Sequence, residues 1–66
     1  MKSLIKVERA KLNMTQQDLA DAIGVSRQTI NSIEGERYTP STILAIKISN
    51  VFNVAVNEIF KLDEND

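Results

Sequence analysis

Sixty-six residues, 42% apolar and 26% charged, are enough for one small domain and leave no room for a second. With no cysteine and no histidine, disulfides and catalysis by a thiol or imidazole are excluded, and no metal or cofactor site is expected. The net charge of −1 counts against a nucleic-acid partner, and no uncharged apolar run approaches the ~18 residues of a membrane span, so a cytoplasmic location is expected.

From Ser3 to Leu12 good helix formers dominate, with Ile5, Glu8, Arg9 and Leu12 one helical step apart. Asn13, tolerant of the left-handed conformation, is the expected stop. Thr15 is a suitable N-cap, and Asp18 three residues on places negative charge in the first turn of a second helix, Gln16 to Ile23. Leu19, Ala20 and Ile23 face inward on it. Gly24 ends that helix and Ser26 caps a third, Arg27 to Glu34, with Ile30 and Ile33 inward and Val25 packing at the turn. Its outward positions are Arg27, Gln28, Asn31 and Ser32, and Gly35 is expected to cap its C-terminus.

Glu36 to Pro40 forms an exposed connection. Ser41 then caps a fourth helix, Thr42 to Phe52, whose apolar stripe is Leu44, Ala45, Ile48, Val51 and Phe52. Asn53 stops it, and a short fifth helix follows from Val56 to Ile59 or Phe60. Phe60-Lys61-Leu62 alternates as a short strand would, and the acidic residues 63–66 are expected to fray.

The stretch from Thr15 to Gly35 therefore reads as two short helices joined by a glycine turn, with Ala20 small where the helices must approach. That is a helix-turn-helix, which offers its second helix to the DNA major groove. Arg9, Met14 with TQQDLA, IGVSRQTINSIEGE, the YTPS connection, LAIKISNVFNV and the closing EIF carry a wider resemblance. The chain resembles the Cro/phage-repressor (XRE) type of helix-turn-helix over residues 4–60. The fold this implies is all-α, a compact lambda-repressor-like bundle of five short helices with a short terminal β-ribbon. The ribbon would join Phe60-Lys61-Leu62 to residues around Lys2-Ser3-Leu4.

The resemblance implies a sequence-specific regulator of transcription that binds double-stranded DNA, most often as a repressor. It places base reading on Ser26, Arg27, Gln28 and Ser32, with Asn31 facing the backbone or a base edge. The chemistry suits the role: Arg pairs bidentately with guanine and Gln with adenine, and the Thr29 methyl can touch thymine or its hydroxyl the backbone. No acid precedes Glu34 on this helix to repel phosphate. The resemblance also puts Gln16 at a phosphate, beside free N–H groups at a helix start, and Arg37, Tyr38, Thr39 and Ser41 along the sugar-phosphate backbone. Tyr38 has a competing reading as an aromatic covering the edge of a small core. Charge distribution softens the objection from net charge. Residues 1–37 hold six Lys/Arg against five Asp/Glu, while residues 38–66 hold two against four.

Arg9 and Glu34 match a structural ion pair of the resembling family. One helix in one groove reads few base pairs, so a homodimer with recognition helices ~34 Å apart is expected. Val54, Val56, Phe60 and Leu62 are the candidate interface, with Ile59 beside them closing the core of one subunit. A second reading is an antitoxin-type or adaptor protein, whose main partner is another protein and whose DNA binding is autoregulatory. An enzyme is remote: Asp18 with Asp21 and Glu34 with Glu36 are neighbouring carboxylates, and nothing suggests a pocket between them.

Overall fold

A side-chain oxygen stands at the start of three of the five helices in the computed structural model, which describes residues 1–66. The elements in chain order are β1 (Lys2–Ser3), α1 (Ile5–Lys11), α2 (Gln16–Ile23), α3 (Arg27–Glu34), α4 (Thr42–Phe52), α5 (Val56–Ile59) and β2 (Phe60–Lys61). At α2, Thr15 Oγ1 accepts the Asp18 N–H at 3.0 Å while Asp18 Oδ2 accepts the Thr15 N–H at 3.0 Å. This capping box satisfies two N–H groups that the helix itself cannot pair. Ser26 accepts the Thr29 N–H and Ser41 the Leu44 N–H, each at 3.1 Å.

The box makes a pH prediction. The Thr15 backbone N–H, and then its hydroxyl, hold the Asp18 carboxyl below its ordinary range. A carboxyl with a depressed folded-state pKa stabilises the fold above its unfolded pKa, and that contribution fades as pH falls through the folded value. Asp18→Asn keeps an acceptor oxygen without the titration. Thermal melts should place the wild type above Asp18→Asn at pH ~6, with the gap closing toward pH ~3, below the ordinary Asp value. A gap independent of pH would remove the charged cap as its cause.

Left-handed residues end the helices: Asn13 (φ 52°) after α1, Gly24 (φ 76°) after α2 and Asn53 (φ 55°) after α4. Gly35 is the C-cap of α3, as expected, though with an ordinary φ of −78°. Glu36 takes the left-handed position instead, at φ 62°. Its N–H reaches the Ile33 carbonyl and the Arg37 N–H the Ser32 carbonyl, both at 3.0 Å. Left-handed backbone costs a non-glycine residue about 1–2 kcal/mol. A contact from far along the chain opposes that cost, since the Glu36 carboxylate accepts the Ser3 N–H at 3.0 Å.

Ten apolar side chains from every helix and from β2 form one core: Ile5, Leu19, Ala20, Ile23, Ile30, Ile33, Ile48, Phe52, Ile59 and Phe60. α2 packs on α3 and on α4, and Ala20 is fully buried. The buried hydroxyl of Ser49 donates to the Ile46 carbonyl at 2.8 Å. Helix α1 is shorter than Ser3–Leu12, because Ser3 joins the ribbon and Leu12 falls at the C-cap, where it is exposed.

The ribbon is antiparallel, with Lys2 opposite Lys61 and Ser3 opposite Phe60, and the Leu4 N–H reaches the Ile59 carbonyl at 2.7 Å. Leu62 lies beyond it. The acidic end, expected to fray, instead folds into a turn in which the Asp63 N–H donates to Asp66 and the Asn65 N–H to Asp63, each at 2.9 Å. Asp66 and Asp63 also pair with the Met1 ammonium, at 2.9 and 3.2 Å, and raise its pKa above the ordinary value.

Candidate nucleic-acid interface

Helix α3 buries Ile30 and Ile33 and turns Arg27, Gln28 and Asn31 to solvent, with Thr29 and Ser32 half-buried at the flank. The buried pair anchors the helix against α2, so the exposed side chains ride on a fixed axis. Its one carboxylate, Glu34, is neutralised from behind. Arg9 Nε donates to Glu34 Oε2 at 2.6 Å and Nη2 to Oε1 at 3.0 Å, while Nη1 donates to the Met14 carbonyl at 2.8 Å. The two side chains are only 14% and 9% exposed. The hydrogen bonds to the Glu34 carboxylate raise the Arg9 pKa further above its already high value, so the guanidinium stays charged.

Gln16, at the first position of α2, joins this network: its Nε2 donates to Glu34 Oε1 at 3.2 Å. An amide nitrogen carries two hydrogens, so one remains for an anion at the helix start. Ser26 has a double employment, capping α3 and meeting Thr29 Oγ1 at 3.0 Å. With Gln28, Thr29, Ser32 and Tyr38 it lines an open hollow of about 330 Å³. Tyr38 is 45% exposed and lies outside the buried cluster. Thr39 and Ser41 are exposed in the connection, Ser41 as the α4 cap. Arg37 and Asn31 are bonded to each other, a pairing that their separate sequence positions gave no sign of.

The expected subunit surface divides. Leu62 is 81% exposed, Val56 lies at the surface, and Val54 is half-buried against the core. Phe60 is a correction: it is buried in the core of the chain itself, as is Ile59. The reason is register, since β2 turns Phe60 inward opposite Ser3 and leaves Lys61 outward. On α4, Ile43 and Ile46 are exposed apolar residues that lie outside the single stripe expected for this helix. Their signal was present, because TILAIKISNVF is apolar on more than one face.

The neighbouring carboxylates all have hydrogen-bonding partners within the fold. Asp18 caps α2, Asp21 accepts from Gln17 Nε2 at 2.8 Å, Glu34 holds Arg9, and Glu36 accepts from Ser3. No helix is long and apolar enough to cross a membrane.

A family model described as helix-turn-helix matches residues 5–59. The chain is similar, at 48% identity, to a protein of Archaeoglobus fulgidus named as an HTH-type transcriptional regulator, over all of this chain and 93% of that one. A protein of the same description from Methanocaldococcus jannaschii is 47% identical over the full length of both chains. The ImmF control region 10 kDa protein of Bacillus phage phi105 is 36% identical over 94% of this chain and 68% of its own.

Proposed function

The chain belongs to the helix-turn-helix family, and on that premise we propose that it regulates transcription by laying α3 in the major groove of double-stranded DNA. The observation that carries this is the α3 face itself. Arg27, Gln28 and Asn31 are exposed on a helix whose opposite side is locked into the core, and no free carboxylate lies among them. Arginine and the two amides supply the donors and acceptors that distinguish base edges. Gln16, Thr39, Ser41 and the hydroxyls around the hollow contact phosphate and fix the register of the helix.

The acting unit is a homodimer on an inverted repeat, repressing by occupying its operator. Eight residues of α3 span only about 12 Å, too short to select a site alone. A two-fold axis sets two such helices about 34 Å apart, one turn of DNA. Val56 and Leu62 at the ribbon end form the surface between subunits, with Val54 at its edge. Selection of binding sites from random duplex DNA at one fixed salt concentration tests the whole reading, and an inverted repeat should emerge. Sedimentation should show a dimer at micromolar concentration, and Leu62→Glu should shift it toward monomer and weaken binding to the repeat at least tenfold. A monomer that selects a single half-site would overturn the dimer.

Ile43 and Ile46, exposed at 67% and 48%, favour a second reading in which another protein is the main partner and DNA binding is autoregulatory. Failure of any duplex to enrich would decide for it.

A further inference from the structure

Arg37 and Asn31 form one unit. Arg37 Nη2 donates to Asn31 Oδ1 at 2.8 Å and lies 3.5 Å from the Asn31 carbonyl. A guanidinium offers donors only, so the amide must turn its oxygen toward Arg37 and leave its NH₂ group for anything else that approaches. Both residues are exposed, so that group is open to a ligand. Gly35 makes the space. A Cβ built on it would stand 2.9 Å from Arg37 Cζ, within the folded-back guanidinium. The φ of Gly35, −78°, suits any residue, so a side chain there would be met by the guanidinium, which would have to move aside, and not by backbone strain.

We propose that Arg37 is a positioning residue that fixes the Asn31 amide with its NH₂ outward, making Asn31 a donor to an acceptor edge such as guanine O6/N7 or thymine O4. An asparagine free to rotate pairs bidentately with adenine, using its oxygen for N6 and its nitrogen for N7. Here the oxygen faces Arg37, and adenine loses that advantage. The inference rests on the reading of α3 as the groove helix, and it assigns Arg37 a part in base choice beyond any attraction to phosphate.

Three variants separate the possibilities: Arg37→Met, Asn31→Ala and Gly35→Ala. The last keeps both side chains and all charge, and removes only the space in which they meet. In the free protein, nitrogen relaxation of the Asn31 side-chain amide should report a rigid group in the wild type and a mobile one in Arg37→Met and Gly35→Ala. In site selection, the wild type should prefer guanine or thymine at a position where Asn31→Ala shows no preference. Arg37→Met and Gly35→Ala should relax that position or turn it toward adenine, with discrimination falling about fivefold or more.

An Asn31 amide equally mobile in all forms overturns the proposal whatever the DNA does. So does an Arg37→Met protein that binds every duplex more weakly, with a shallower salt dependence and unchanged base preference, because that is the behaviour of a phosphate contact. If the amide is rigid and the wild type selects no duplex, the groove reading falls and the base-edge role with it, while the Arg37–Asn31 unit stands.

Discussion

Arg9→Ala should lower stability by about 2–3 kcal/mol, a fall of roughly 10–20 °C in melting temperature for a domain this small. An exposed ion pair contributes about 0–1 kcal/mol, and this pair is not of that kind. Its side chains are 14% and 9% exposed, its geometry is bidentate, and a third guanidinium nitrogen holds the Met14 carbonyl. Removing the arginine leaves Glu34 with Gln16 as its only side-chain partner, at the C-terminal end of a helix whose dipole already disfavours negative charge. Domains of this size are stable by only about 3–10 kcal/mol, so the loss is a large share of the whole. The double substitution Arg9→Met with Glu34→Leu should recover much of it, because no buried charge is left unpaired. Thermal and urea melts of the three proteins test this, and a single variant melting within a degree or two of wild type would refute it. Base preference should not change, since Arg9 lies behind α3, on the side away from its exposed face.

The second large effect is on binding. Arg27→Ala and Gln28→Ala should each cost about 1–3 kcal/mol per half-site on the selected sequence, so the double variant should bind it at least a hundredfold more weakly. The same protein should melt within about 0.5 kcal/mol of wild type, because both side chains are exposed and bond to nothing in the fold. The two substitutions should differ in kind. Arg27→Ala removes charge and flattens the dependence on salt, whereas Gln28→Ala leaves the salt slope alone and relaxes one base position. Anisotropy titrations against the selected duplex and a scrambled one read both effects. Equal losses on the two duplexes would show that this face holds phosphate and does not choose bases.

Much of the fold was legible because its signals are local. Thr15 with Asp18, Ser26 and Ser41 each satisfy N–H groups within three residues of themselves, so the starts of α2, α3 and α4 follow from the nearest neighbours in sequence. The spacing of Leu19, Ala20, Ile23, Ile30 and Ile33 likewise shows which faces turn inward. The residues exposed on α3, which we propose meet DNA, follow from the same periodicity, being what the buried face leaves over.

What was not legible depends on residues distant in the chain. Glu36 is left-handed just past the Gly35 cap, and the carboxylate it carries accepts the N–H of Ser3, thirty-three positions away. The acidic end is ordered because the ribbon brings the two chain ends together, and Phe60 is a core residue because pairing with β1 decides which way the strand faces. No local rule foresees a guanidinium folding back over Gly35 onto Asn31, or an amide at the start of α2 reaching the carboxylate that ends α3.

The sequence by itself determined the helices, their inward faces and the family, since caps and periodicity act within a few residues. Only the tertiary structure decided which polar side chains of the proposed recognition surface are free, which are held and which way they point. Those outcomes depend on hydrogen bonds between groups that chain order keeps apart and packing brings together.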